Sequence, residues 1–154
     1  MMQRLVSVVA IVSTAIYLVP TGAHLFEMPA KLAMAEQDYM IVQRIYSGWS
    51  LFGLVLGVAV LANLAAAVHG RASSTVFVYS LIAAGLLVVA FVVFMVFTLP
   101  MNAASENWTR VPPDLETARR QWEYSHAVCA VLTFAALVSA VWASSVDWDQ
   151  SGTD

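Results

Sequence analysis

Two histidines and one glutamate stand at the margins of long apolar segments, where side chains of these types need partners or a function. His24 and Glu27 lie three residues apart, and His126 follows Trp122 by four residues. Residues at these spacings share one face of a helix. Ionisable side chains at membrane depth are costly and mark a functional site by default. We therefore predict that His24, Glu27 and His126 meet in one site, as metal ligands or as acid–base groups.

Amide and aromatic side chains stand close to these residues in the segment 98–129. Asn102 follows Pro100 in a Pro-x-Asn sequence, and Trp108 and Trp122 come after it. Tyr46 and Trp49 occupy the start of another apolar segment. Aromatic residues are expected at membrane interfaces, where they form belts. We predict a second role for them here, as the walls that hold a substrate.

The elements that must position these residues are membrane helices. The chain has 154 residues, is 60% hydrophobic and only 11% charged, and has a mean hydropathy of +0.76. Four segments are long enough to span a bilayer, which needs about 20 apolar residues in a helix. We predict an all-α, integral membrane, antiparallel four-helix bundle over residues 1–146, with spans at about 5–27, 44–68, 76–99 and 115–144.

Prolines and helix-capping residues predict where these helices bend and end. Pro20 should kink the first helix, which we expect to be retained rather than cleaved as a signal segment, and Pro29 should either stop it or start the next turn. Pro100 and Asn102 should terminate the third helix, and Asp114 should cap the fourth. The acidic tail 147–154 is predicted to be disordered.

Two further predictions concern the helix faces. Glu123 stands four residues after Arg119, so the two should pair along the last helix. Gly53 and Gly57 form a Gly-x-x-x-Gly pair, which lets another helix approach closely. We expect that helix to belong to the same chain or to a second copy in a homo-oligomer.

Antiparallel spans bring the polar and aromatic residues to the same side of the membrane. The connections 27–44 and 102–122 share that side, while both termini and the 69–75 turn share the other. Lys and Arg residues are more numerous on the first side, which predicts that these two connections are cytoplasmic in a cell or inner membrane. The predicted partners are the lipid bilayer and a hydrophobic small molecule. A net charge of −3 without a basic patch argues against nucleic acid.

Over nearly the whole chain, the residues resemble a known family. The resemblance rests on His24-Leu-Phe-Glu27-Met-Pro-Ala-Lys31, Tyr39, Gln43-Arg-Ile-Tyr46-Ser-Gly-Trp49, Pro-Met-Asn102, Trp108 and Trp122-Glu-Tyr-Ser-His126. These segments are similar to the small four-helix membrane proteins that include the fungal anthrone oxygenases, many of which have no known function. The resemblance implies oxygen insertion into reduced tricyclic aromatics, although a fold carries over to a new protein better than a reaction does.

Two mechanisms fit such an activity. In the first, His24, Glu27 and His126 bind one transition-metal ion that activates dioxygen, as two histidines and a carboxylate do in many iron sites. In the second there is no cofactor. His126 removes a proton from an acidic C–H, and the carbanion passes an electron to oxygen. Asn102 donates to the developing enolate oxygen, and Trp122 acts beside it, while Tyr46, Trp49 and Trp108 bind the substrate.

Other classes of protein remain open from the sequence. Glu27 in a first helix resembles the carboxylate of small proton-coupled drug exporters, which favours a transporter. Alternatively, His126 bonds another helix and the protein is an accessory or assembly subunit. A transporter needs its carboxylate deep in the span, whereas Glu27 lies at the margin of the apolar segment.

Overall fold

Four long helices dominate the protein, as the distribution of apolar residues predicts. The structure is a computed structural model that describes residues 2–150, with side chains described over 2–146. Four segments of the described chain are long and apolar enough to cross a membrane: Met2–Leu32, Trp49–His69, Ser74–Ala104 and Leu115–Val146. The prediction of an all-α, four-helix protein is confirmed.

The regular elements of residues 2–150 are six α-helices joined by short irregular turns. In chain order the helices are α1 (Met2–Leu32), α2 (Glu36–Gln43), α3 (Phe52–His69), α4 (Ser74–Val93), α5 (Leu99–Ala104) and α6 (Leu115–Gln150). Two 3₁₀ turns, Arg44–Tyr46 and Trp49–Leu51, lead into α3, and a π-helical turn at Phe94–Thr98 joins α4 to α5. The irregular backbone therefore clusters at one end of the bundle.

Contacts between neighbouring helices show that each runs antiparallel to the next. Asn63 near the end of α3 donates to Thr14 in the first half of α1, whereas His24 near the end of α1 contacts Trp49 before α3. Along α4 and α6, Tyr79 contacts Trp142, whereas Ala90 accepts a hydrogen bond from Cys129. The start of α1 and the end of α6 consequently lie at the end of the bundle that carries the α3–α4 turn. Their side of the membrane remains a prediction.

Small side chains fill the middle of the bundle and let the helices approach closely. Its core joins Tyr17, Leu56 and Leu87 to the alanines at 59, 83, 136 and 140. In a lipid environment, close packing of small residues drives helix association because burial of apolar surface supplies little. The outer surface is apolar by contrast, with Val19, Leu54 and Leu61 among the most exposed side chains.

Neither Pro29 nor Pro100 ends its helix, although termination was expected at Pro100 and was one of two alternatives at Pro29. α1 continues through Pro29 to Leu32, because its final turn is held by contacts of the buried Lys31 side chain with other helices. Helical structure also continues past Pro100 to Ala104. The wide π-helical turn just before Pro100 changes the hydrogen-bond register there, which relieves the loss of one backbone donor.

Other local predictions have mixed outcomes. Asp114 accepts a hydrogen bond from the Thr117 backbone N–H at 3.0 Å, so the predicted cap is confirmed, and this bond lowers the pKa of the Asp114 carboxyl. Helix α6 is described as far as Gln150, and the predicted disorder of the tail 147–154 stays a prediction. The rest of the predicted tail, 151–154, lies outside the described residues.

The Gly53 and Gly57 pair faces outward instead of packing within the chain. Both residues are exposed, and a Cβ added to either would meet no atom of the described residues within 4 Å. The expected contact with another helix of the same chain is therefore wrong, because the Ala-rich face of α3 makes those contacts. Assembly with a second copy through these glycines stays a prediction.

Candidate functional site

A cavity of about 340 Å³ opens at the end of the bundle where the irregular turns cluster. We call it the upper cavity. Its inner walls are formed by His24, Tyr46, Trp49, Phe94, Asn102, Trp108, Trp122 and His126. Its remaining walls are small or polar, and Arg44 is the one residue with a formal charge among the described residues that line it. Every predicted catalytic and substrate-binding residue lies in this wall, and of the predicted metal ligands Glu27 alone does not.

The two histidines lie in contact, although they belong to the first and last helices. Their ring centroids are 4.3 Å apart, and both side chains are buried. Trp122 packs against both rings, with its centroid 4.8 Å from that of His24 and 3.9 Å from that of His126. The structure thus brings together the residues that the sequence places near the ends of separate helices.

A hydrogen bond to the backbone fixes the tautomer of His126. Its Nδ1 lies 2.9 Å from the carbonyl oxygen of Trp122. Because a carbonyl oxygen can only accept, Nδ1 carries the hydrogen and Nε2 keeps its lone pair. His126 is therefore oriented as a base. His24 differs, since its Nδ1 is buried without a hydrogen-bond partner among the described residues.

Asn102 is held by two indole groups. Trp122 Nε1 donates to Asn102 Oδ1 at 2.8 Å, and Trp108 Nε1 donates to the same oxygen at 3.0 Å. Indole nitrogen can only donate, so the carbonyl side of the amide faces the indoles and the NH₂ side remains a donor. A cavity-lining amide with a fixed donor end can hydrogen-bond an oxygen atom of a bound molecule.

A buried ion pair that the sequence did not predict lies behind this wall. Lys31 Nζ is 2.8 Å from Glu123 Oε1, and both side chains are almost fully buried. The Lys31 ammonium also lies 4.4 Å from the ring centroid of Trp122 and 4.7 Å from that of Tyr46. Glu123 therefore pairs across helices rather than with Arg119, as we had expected. Arg119 instead pairs with Glu116 and donates to the Met34 carbonyl at 2.9 Å.

Two polar residues of α2 extend this network towards the upper cavity. Tyr39 is fully buried, and its hydroxyl donates to Glu123 Oε1 at 3.0 Å. Burial and the neighbouring Glu123 carboxylate both raise the pKa of Tyr39, so its hydroxyl stays protonated. Gln43 donates to the Tyr39 hydroxyl oxygen at 2.6 Å and lines the cavity. The pairing of Tyr39 and Gln43 at the i, i+4 spacing is the signal in the sequence that links α2 to the site.

Glu27 is engaged outside the cavity. Its carboxylate accepts a hydrogen bond from the Tyr46 hydroxyl, and burial together with this bond raises the pKa of Tyr46. Within residues 2–146, no group of three or more His, Cys, Asp or Glu side chains is placed to hold a metal ion. Metal ligation by His24, Glu27 and His126 therefore stays a prediction.

The loop that carries Trp108 has an unusual backbone. Glu106, Asn107 and Trp108 have φ angles of 50°, 55° and 64°, in the left-handed region that favours glycine. Residues in this region are strained unless the surrounding structure holds them, and such strain clusters at functional sites. Here the hydrogen bond from Trp108 to Asn102 and the edge-on contact with Tyr39, at 5.4 Å between centroids, hold the loop against the cavity.

Comparisons with known proteins place this site within a family. The model of the anthrone oxygenase family matches residues 42–139. No curated protein and no solved structure matches the chain. The matched range contains Tyr46, Trp49, Asn102, Trp122 and His126, while His24 lies before it. Because the match covers more than half of the chain, this protein belongs to the anthrone oxygenase family.

Proposed function

We propose that the protein is a membrane-embedded oxygenase that oxidises an acidic C–H group of a hydrophobic aromatic small molecule. The observation that carries this proposal is the placement of an oriented base, His126, and an oriented amide donor, Asn102, in the wall of one aromatic cavity. Membership of the anthrone oxygenase family supports the same class of reaction.

The cavity suits a flat aromatic substrate. Ligand sites in proteins commonly have volumes of about 300–1,000 Å³ and are lined mainly by apolar and aromatic groups, and the upper cavity measures about 340 Å³. Tyr46, Trp49 and Trp108 supply ring faces and edges that stack against a substrate in offset or edge-on arrangements. Exposed polar residues, with Arg44 among them, complete the lining of the cavity.

The proposed reaction begins with proton transfer. His126 Nε2 removes one proton from a CH₂ group that is flanked by aromatic rings and conjugated to a carbonyl. The resulting negative charge is shared with the carbonyl oxygen, to which Asn102 Nδ2 donates a hydrogen bond. Hydrogen bonds aimed at developing charge lower the barrier most when they are fixed before the reaction. The two indoles that bind Asn102 Oδ1 provide this fixation.

Dioxygen then accepts the electrons. One electron passes from the carbanion to O₂, and the superoxide and carbon radical combine to a C–O–O⁻ group, which takes the proton back from His126. Loss of water from this substrate hydroperoxide leaves a new carbonyl, so that R₂CH₂ and O₂ give R₂CO and H₂O. The substrate supplies all the electrons, and no other reductant is needed.

Trp122 connects the parts of the site. It donates to Asn102, packs on His126 and lies beneath the Lys31 ammonium. A cation over an indole face is stabilised by the negative charge density of the ring. The Lys31–Glu123 pair therefore positions Trp122, and through it both reactive side chains, from behind the cavity wall.

The test uses anthrone as the probe with purified protein in nanodiscs, following anthraquinone formation and ¹⁸O₂ incorporation. We expect one atom of O₂ in the product carbonyl. Removal of a general base lowers rates by about 10²–10⁴-fold, so the His126→Ala variant should fall towards the uncatalysed rate. His69→Ala is the control, because His69 is exposed at the opposite end of the bundle. Equal turnover by the His126→Ala variant and the wild type would refute the proposed base.

A further inference from the structure

A second cavity lies directly below the histidine pair. This lower chamber has a volume of about 150 Å³. Five residues line both it and the upper cavity: His24, Trp49, Ser50, Phe94 and His126. An occupant of the lower chamber would thus contact the same imidazoles as a substrate in the upper cavity, from the other side.

The walls of the lower chamber are mostly apolar. Phe52, Leu56 and Phe91 contribute hydrocarbon surface. Two of its polar groups already donate hydrogen bonds to the backbone: Thr21 Oγ1 to the Leu18 carbonyl at 3.2 Å and Cys129 Sγ to the Ala90 carbonyl at 3.3 Å. Apolar cavities of about 150 Å³ stay dry and bind small apolar molecules such as xenon or benzene. The chamber is too small for the tricyclic substrate and large enough for a gas molecule.

Two residues of the lower chamber, Gly53 on α3 and Phe91 on α4, also lie on the outer surface of the bundle, which points to an opening between them. The helix surface beside them is apolar, with Leu54 72% exposed and Val92 51% exposed. Because both helices are long and apolar enough to cross a membrane, this opening would face lipid acyl chains rather than water.

We propose that the lower chamber is a dioxygen site that is supplied from the bilayer through the opening at Gly53. The inference rests on the proposed oxygenase function and adds the route and place of the second substrate. Dioxygen is apolar and dissolves better in hydrocarbon than in water. Its concentration is therefore higher at an entrance that faces lipid than at one that faces water. Delivery from below also leaves the upper cavity free for the aromatic ring, and brings O₂ to the carbanion at the histidine pair.

Gly53→Leu is the variant that tests the opening, and Gly57→Leu is its matched control. A Cβ at either position meets no atom within 4 Å, so neither substitution creates a backbone clash. Both lie on the outward face of α3, one turn apart, but only Gly53 lines the lower chamber. A loss of assembly through the glycine pair would affect the two variants alike.

The first measurement is xenon binding to the protein in phosphatidylcholine nanodiscs, by ¹²⁹Xe NMR. We expect saturable binding in the wild type and the Gly57→Leu variant, and a several-fold weaker response in the Gly53→Leu variant. Absence of saturable xenon binding in the wild type, or equal loss in both variants, would overturn the gas site. This measurement does not depend on turnover, so it separates the chamber from the proposed reaction.

The second measurement is the KM for dioxygen during anthrone oxidation. The Gly53→Leu variant should show a several-fold higher KM for O₂ with an unchanged KM for anthrone, whereas the Gly57→Leu variant should match the wild type. An unchanged KM for O₂ in a variant that has lost xenon binding would disprove the oxygen route. Failure of every protein to oxidise anthrone would instead refute the proposed function, and xenon binding would still decide whether the chamber takes a gas.

Discussion

The two ends of the bundle differ in the side chains that pack them and in the regularity of their backbone. The end near the α3–α4 turn and the middle of the bundle are built from regular helices packed through alanine, with Ala59, Ala83 and Ala136 fully buried. The cavity end is built from large aromatic side chains, a buried ion pair and irregular backbone. Regular packing of small residues makes a stiff scaffold, and the departures from regularity are confined to the end where side chains must converge.

This contrast shows that the costly features share one location. A buried ion pair needs good geometry to offset the loss of hydration, and left-handed φ angles in residues other than glycine are unfavourable. Both are found at the cavity end, where the same side chains line or support the upper cavity. Substitutions at the two ends should therefore have different signatures, and the following predictions test that difference.

The largest effect is expected for the buried ion pair. Removing one partner of such a pair leaves an uncompensated charge and costs about 3–5 kcal/mol. We expect Glu123→Leu to lower the thermal stability of the detergent-solubilised protein by that order, and to disorder Trp122. The double variant Lys31→Met with Glu123→Leu should recover most of the stability but not the activity. A double variant as active as the wild type would contradict the positioning role of Lys31 and Glu123.

The next effect is on catalysis at Asn102. Asn102→Asp keeps an oxygen acceptor for the two indoles but removes the amide donor. Loss of one fixed donor to a developing oxyanion lowers kcat by about 10²–10³-fold, whereas the KM for anthrone should change little. Single-turnover kinetics measure the chemical step directly. Asn102→Leu is the control that loses both the oxygen acceptor and the amide donor. It should also destabilise the loop that carries Trp108.

A substitution of an alanine in the packed core should lower stability without changing catalysis. Ala83 on α4 is fully buried in the bundle core, so Ala83→Leu should overpack it and destabilise the protein by about 1–3 kcal/mol. The fraction that remains folded should keep the wild-type kcat and KM. Exposed Leu81 on the same helix offers a control in Leu81→Ala, for which we expect a much smaller change in stability. A selective loss of kcat in the Ala83→Leu variant would contradict the prediction that the packed core affects stability without affecting catalysis.

The smallest effect is expected at Gly48, between the two 3₁₀ turns. Its φ angle is +87°, in the region that favours glycine. The left-handed conformation costs other residues about 1–2 kcal/mol. Gly48→Ala should lose about that much stability and raise the KM for anthrone slightly, because Gly48 and the flanking Trp49 line the cavity. Thermal unfolding and steady-state kinetics on one preparation check both, and Gly22→Ala, at a helical position with room for a Cβ, is the control.

The length of the apolar segments predicts the scaffold well, because a bilayer constrains the structure of such segments strongly. Backbone groups in a bilayer must be bonded internally, so long apolar segments have few structures other than helices. The convergence of His24, Trp49, Trp122 and His126 also follows from the antiparallel order. What the sequence does not reveal is which partner each charge takes. Glu123 has Arg119 at helical spacing, and its choice of Lys31 depends on a long-range contact between α1 and α6.

The proline predictions fail for a related reason. Proline weakens a helix locally, but contacts made by the residues after it can hold the helix together. Lys31 does this beyond Pro29, and Asn102 with its two indoles does it beyond Pro100. Both expectations rested on the propensity of proline alone, without the π-helical turn that precedes Pro100 or the contacts made by residues elsewhere in the chain.

The π-helical turn at Phe94–Thr98 determines which way the side chains of the following helix α5 point around the helix axis. Such a turn holds one residue more than an α-helical turn, and each residue advances a helix by about 100°. Deleting one residue from it would turn Asn102 by about that angle, away from both indoles, while α4 before it kept its packing. The orientation of the Asn102 amide towards the two indoles thus depends on a single inserted residue.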